Sequence, residues 1–147
     1  MSEPGQLAIP KLIALYAERI DAGDFAGVAD LFAHATVTAE GNDAVQRGAD
    51  EVRAMYEGWV RRYDDGTPRT KHVTTNLILD VDEGAGTATC RSYFTVLQQT
   101  DALALQPIIA GRYHDEFERA DGTWRFTLRH MITDLVGDLS HHLTQPL

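Results

Sequence analysis

Two hydrophobic periods divide the chain near Pro68. Before it, apolar residues recur three and four positions apart. Ile9, Leu12, Ile13, Tyr16 and Ile20 share one face of a helix that admits Pro10 in its first turn and stops near Gly23. Asp24 is suited to cap a second, short helix bearing Phe25, Val28, Ala29 and Phe32, so the two should form a helical hairpin. Residues 35–39 read as a short strand. From about Ala49 the stripe Val52, Met55, Tyr56, Trp59, Val60 and Tyr63 predicts a third helix, the cleanest periodicity in the chain.

After Pro68 the period becomes two. Segments near 69–81, 86–99, 105–119 and 123–136 are joined by short turns at Glu83 to Gly86, Gln99 to Asp101 and Ala120 to Gly122. The last carries Asp-Gly, which tolerates the positive φ of a tight hairpin. Strands joined so closely pair antiparallel. Helices gathered before such a meander define an α+β fold, because the sheet buries one face by curling around them. The expected shape is a cone, a curved and mainly antiparallel sheet wrapped around three amino-terminal helices with an internal pocket. It forms one domain over 1–147 with an ordered core about 7–137, and the ends 1–6 and 138–147 are expected to be loosely held.

Strand parity leaves a question open. In 69–81, Val73, Leu77, Leu79 and Val81 share one face, while His72, Thr74, Asn76 and Ile78 share the other. Either the pocket faces Thr74 and Asn76 and the apolar face meets another subunit, or a bulge resets the register. In the last strand Trp124, Phe126, Leu128, His130 and Ile132 alternate with Thr127, Arg129, Met131 and Thr133. Arg129 and His130 therefore face opposite ways, and Arg129 is the choice for the pocket.

Composition narrows the function. A length of 147 residues suits one domain, and hydrophobic and charged fractions of 44% and 24% are those of an ordinary globule with no apolar run of membrane-spanning length. No secretory leader is recognised, so a cytoplasmic location is expected. A net charge of −9 with scattered basic residues argues against nucleic acid. One cysteine, Cys90, supports neither a disulfide framework nor a thiolate zinc site, and its place in an apolar-alternating strand makes it a core residue by expectation. The adjacent His141 and His142 would point to opposite faces of a strand with no acid cluster beside them, so no metal is expected.

Several runs resemble the α+β cone superfamily that includes nuclear transport factor two, SnoaL-type polyketide cyclases and scytalone dehydratase. They are Leu15 to Phe25, the Arg47-Gly48 approach to the third helix, Gly111 to Phe117 and Arg119 to Trp124, and the resemblance extends from Leu12 to Asp134. Asp21 together with Thr70-Lys-His72-Val-Thr-Thr-Asn76 is similar to the Asp/His dyad of hexachlorocyclohexane dehydrochlorinase and of the bile-acid and scytalone dehydratases. The resemblance implies roles for Arg129, which matches a pocket arginine of the dehydrochlorinase, and for Tyr16, which matches a pocket tyrosine of the bile-acid enzyme. Val96 and Thr133 stand where the bile-acid enzyme has an acid and an arginine, a departure from its pattern.

The residues permit the same chemistry without the family. A carboxylate in the last turn of a helix meets the negative end of the macrodipole, which favours a partner such as His72. An Asp that accepts from one imidazole nitrogen fixes the tautomer and frees the other as a base. The expected protein is a cofactor-independent lyase or isomerase, dehydratase-like, acting on a small, apolar molecule of cyclic, polyketide-like or steroid-like kind. His72 is the base, Asp21 its orienter, and Arg129 with Tyr16 receive the oxygen that gains charge. Phe32, Met55, Tyr56, Trp59, Tyr113 and His130 complete the expected pocket. The alternatives are a non-catalytic binding or assembly module and a subunit of a ring-hydroxylating oxygenase. Because both faces of the sheet carry apolar residues, a homodimer or homotrimer is also expected.

Overall fold

A computed structural model describes residues 3–147. Helices α1 (Gly5–Asp21) and α2 (Phe25–Leu31) come first, followed by strands β1 (Thr36–Ala39) and β2 (Asn42–Arg47) and helix α3 (Gly48–Trp59). Four long strands complete the chain: β3 (Thr70–Asp82), β4 (Thr87–Gln98), β5 (Gln106–Ala120) and β6 (Thr123–Val136). One six-stranded sheet runs in the order β2-β1-β6-β5-β4-β3. All neighbours are antiparallel except β1 and β6, which are parallel. The α+β architecture expected from the two periods is therefore the one observed.

The end of α1 is set locally. Gly23, at φ +73°, donates to the Ile20 carbonyl and Asp24 to the Arg19 carbonyl, the paired closure that stops a helix with a left-handed residue. Asp24 then turns to its second task and accepts from the Gly27 N–H to cap α2. Ile9, Ile13, Tyr16 and Ile20 of α1, with Phe25 and Val28 of α2, bury against Val96, Tyr113, Phe117, Trp124 and Phe126 from the sheet. Burying such side chains contributes roughly 1.5–3 kcal/mol each, which is what curls the sheet over the helices. Cys90 lies in this core as expected.

Sheet parity is settled by bulges. Thr75 pairs with Tyr93 but Ile78 pairs with Arg91, so β3 carries one extra residue there, and Asn76 takes φ 58° to accommodate it. Thr70, His72 and Thr74 thus turn inward before the bulge, and Leu79 and Val81 after it. Asn76 itself is exposed, so the alternative of a pocket facing Thr74 and Asn76 together is not the one adopted. A second irregularity between Glu116 and Phe117 resets β6, where Trp124 and Phe126 face inward and are followed by Arg129 and Met131. On the outer face Val73, Ile78, Tyr93 and Leu135 remain exposed.

Three expectations need correction. Strand β2 was not foreseen, because Asn42-Asp-Ala-Val-Gln-Arg47 is too polar for an alternating signal and is held as a strand by its pairing with β1. Helix α3 ends at Trp59 rather than Tyr63, since Val60 is extended and bridges Leu143. That bridge also corrects the third: residues 138–147 are not loosely held. Arg61 donates its N–H to the His142 carbonyl at 2.8 Å, and Thr144 donates its own to Trp59 at 2.9 Å. Gln98 Nε2 reaches the His141 carbonyl at 3.0 Å. Among the described residues no helix is long and apolar enough to cross a membrane.

Candidate active site

The arrested end of α1 brings Asp21 to the start of β3. Its Oδ1 accepts from Thr70 Oγ1 at 2.9 Å and stands 2.7 Å from His72 Nδ1, while its Oδ2 accepts from the His72 backbone N–H at 2.8 Å. The His72 and Asp21 side chains are only 5% and 9% exposed. With the carboxylate offering nothing but acceptors, Nδ1 carries a proton, so that in the neutral imidazole Nε2 is the lone pair. His72 lines a cavity of about 350 Å³.

Two tyrosines from different elements meet beside it. Tyr16, on α1 one turn and a fraction before Asp21, has its hydroxyl 2.6 Å from that of Tyr56 on α3. Its ring stands edge-on to His72 with centroids 6.2 Å apart. Tyr113 of β5 packs edge-on to Tyr16 and stacks on Phe94. Burial raises the pKa of all three tyrosines, and for Tyr16 the nearby Arg129 charge offsets part of that rise. All three remain neutral hydroxyl donors at neutral pH.

Arg129, expected in the pocket, faces inward but does not reach the cavity. It is fully buried and pairs bidentately with Asp115, with both contacts at 2.9 Å. Its guanidinium carbon lies 3.7 Å from the Tyr113 ring centroid and 4.3 Å from that of Tyr16. Burial opposes its charge, but the Asp115 carboxylate holds its pKa above the ordinary value. Arg129 therefore supports the tyrosines from behind rather than touching a ligand. His130 points to the other face, where Nδ1 meets Thr38 Oγ1 at 2.7 Å, so it does not belong to the pocket. Phe32 is likewise behind the site, buried with its ring edge-on to Tyr16 and 4.8 Å from that of Phe126. Met55, Tyr56, Trp59 and Tyr113 do line the cavity.

The sequence reading missed the contribution of the carboxy-terminal segment. Leu139, His142 and Leu143 line the cavity, and the His142 ring centroid is 6.5 Å from that of His72. Burial, then the neighbouring His72 charge, brings the His142 pKa down to about 4, with Asp21 opposing. The signal was available in the spacing Leu139, Leu143 and Leu147, which puts apolar residues on one side of a polar tail. His141 turns instead toward Asp138. Among the described residues no group of three or more His, Cys, Asp or Glu is arranged to hold a metal.

The cavity is thus mostly apolar, with one polar pole where an oriented imidazole base faces a pair of coupled tyrosine hydroxyls. Such a pole can remove a proton from carbon and hydrogen-bond the oxygen on which charge develops.

Comparison with known proteins agrees with this architecture. The family model described as a SnoaL-like domain matches residues 5–130. A single-site variant of Rv3472 from Mycobacterium tuberculosis, a protein of unknown function, is similar with a TM-score of 0.73 and 29% identity, over 89% of this chain and 72% of that one. A candidate scytalone dehydratase from Novosphingobium aromaticivorans gives 0.72 and 22%, over 90% and 86% of the two chains. ActVI-ORFA from Streptomyces coelicolor gives 0.70 and 20%, over 88% and 96%. At the last two identities the likeness is one of fold. No curated protein matches the chain.

Proposed function

Because the chain belongs to the SnoaL-like domain family, we propose that it is a cofactor-independent lyase or isomerase that abstracts a proton from a small, largely apolar, oxygen-bearing substrate. The observation that carries this reading is Asp21 bonded to His72 Nδ1 at 2.7 Å, with the other imidazole nitrogen left for the cavity. A structural histidine would gain more from partners on both nitrogens. The similarity of fold to a candidate scytalone dehydratase supports elimination of water as the reaction class.

In this reading His72 Nε2 takes a proton from a carbon beside a carbonyl. The electron pair moves toward the carbonyl oxygen, which the Tyr16 and Tyr56 hydroxyls stabilise by hydrogen bonding. Asp21 stabilises the imidazolium formed. In an elimination, the returning electron pair expels hydroxide from the adjacent carbon, and the imidazolium proton passes to it to form water. In an isomerisation the same proton is returned to a different carbon. Either route leaves the protein as it began.

Hydroxylated cyclic ketones and polyketide-like aromatics, followed by absorbance for loss of water, provide the test. Turnover that falls by about 10²–10⁴ in His72→Ala with the fold retained supports the reading. Turnover unchanged in that variant, or a tight stoichiometric complex with no turnover, would sink it and favour a binding module.

A further inference from the structure

His142 adds a second polar point to the cavity, and we infer that it binds a second oxygen function of the ligand, so that the site selects small apolar molecules with two separated hydrogen-bonding oxygens. This rests on the proposed reading of the cavity as a small-molecule site.

The placement of the residue carries the argument. His142 is 6% exposed, lines the cavity beside His72, and its Nδ1 is buried without a hydrogen-bond partner. A buried polar atom without a partner is unfavourable, and such atoms persist where a ligand or water completes them. The segment does not need this imidazole to stay in place. Its backbone is held by Arg61, Gln98 and Trp59, and by the bridge between Val60 and Leu143. Leu139 and Leu143 supply apolar packing on either side. An apolar residue at 142 would have packed against them at no polar cost.

The protonation state fits binding rather than acid–base work. With its pKa down at about 4 through burial and the His72 charge, His142 stays neutral when His72 takes up a proton. A neutral imidazole has one N–H to donate and one lone pair to accept, which suits a hydroxyl or a carbonyl equally. Tyr16 and His142 both neighbour the His72 ring, at 6.2 and 6.5 Å between centroids. A ligand whose reacting carbon lies at Nε2 can therefore place one oxygen at the tyrosines and another at His142.

Calorimetric titration of the full chain with β-naphthol and with a panel of dihydroxynaphthalenes tests this without any turnover. Wild type should bind at least one dihydroxy isomer about ten-fold more tightly than β-naphthol, the scale of one good hydrogen bond. In His142→Phe that preference should fall below about two-fold while β-naphthol affinity changes little. His142→Leu serves the same purpose if the Phe variant fails to unfold cooperatively. A preference that survives in the folded variant assigns the second oxygen to Asn42, Gln46 or Thr133, which also line the cavity, and overturns the inference. So does the absence of any preference, or of any binding, in wild type. If turnover depends on His72 while the preference ignores His142, this inference fails alone. If the preference depends on His142 and no turnover exists, only the catalytic reading fails.

Discussion

The guanidinium of Arg129 lies 3.7 Å from the Tyr113 ring centroid, so the tyrosine pole of the cavity rests on a buried cation. That cation is bound on its far side to Asp115, and both side chains are fully shielded from solvent. Its Nη1 is buried without a hydrogen-bond partner. The pair is expensive to bury and still more expensive to break, because either charge left alone sits in a low-dielectric core.

Removing one partner should therefore cost more than removing both. Asp115→Leu is expected to destabilise the fold by about 3–5 kcal/mol in urea unfolding. The double variant Asp115→Leu with Arg129→Met should recover a large part of that loss. Additive losses in the double variant would mean that the two side chains do not compensate each other.

The bulge at Asn76 makes a separate prediction. A left-handed backbone costs a β-branched residue roughly 1–2 kcal/mol more than Asn or Gly. Asn76→Gly should leave stability within about 0.5 kcal/mol, whereas Asn76→Val should lower it by about 1–2 kcal/mol. Deleting Asn76 should do much more. It would turn either His72 and Thr74 or Leu79 and Val81 to the wrong face. A deletion variant with wild-type unfolding would show that the register does not depend on this residue.

That bulge also marks the boundary of what the sequence revealed. The change of period at Pro68 located three helices and four long strands, because each buries a continuous stripe. Two local signals placed Asp21 at a helix stop before Gly23 and His72 at a strand start after Pro68, and the resemblance to the Asp/His-dyad enzymes paired them. Which face His72 took was not legible, since an extra residue in a strand leaves no mark in its alternation except a residue tolerant of positive φ. Arg129 and His130 could be assigned to opposite faces, but not to depth. Depth depended on Asp115, a partner on the neighbouring strand whose register is set by its own irregularity. Strand β2 was invisible for a related reason: its backbone is held by tertiary pairing, and its side chains repeat no period, whereas the docked tail left one sign, the spacing of Leu139, Leu143 and Leu147.

The tail's histidine should leave a trace in the pH dependence of stability. Unfolded, His142 titrates near its ordinary 6.5, and folded near 4. Between those values the unfolded chain binds more protons, so stability rises with pH across the window and is lost as pH falls from about 6.5 toward about 4. At about 1.4 kcal/mol per unit, the loss approaches about 3 kcal/mol. Urea midpoints at several pH values for wild type and His142→Leu isolate it. The variant should lose less stability than wild type over this window and run parallel to it above. Parallel curves throughout would mean that His142 is protonated as readily in the folded protein as in the unfolded one.

The sharpest prediction concerns Asp21→Asn, because the carboxylate meets three donors and an amide cannot. Oδ1 serves the Thr70 hydroxyl and His72 Nδ1, and Oδ2 serves the His72 backbone N–H. If the new NH₂ faced that backbone N–H, two donors would collide. Turned the other way, it faces Nδ1, and the Thr70 hydroxyl can rotate to donate elsewhere or accept. The fold then survives, but Nδ1 must now accept, which moves the imidazole proton to Nε2 and removes the base from the cavity. Asp21→Asn should therefore unfold within about 1 kcal/mol of wild type and yet lose about 10³–10⁴ in kcat, as a tautomer reversal does in other oriented histidines. Adding His72→Ala should cost little further, since both changes disable one unit. A ¹⁵N imidazole spectrum reads the tautomer directly, with Nε2 unprotonated in wild type and protonated in Asp21→Asn. If Nε2 is unprotonated in both, or if the two losses multiply, Asp21 does not act through the histidine.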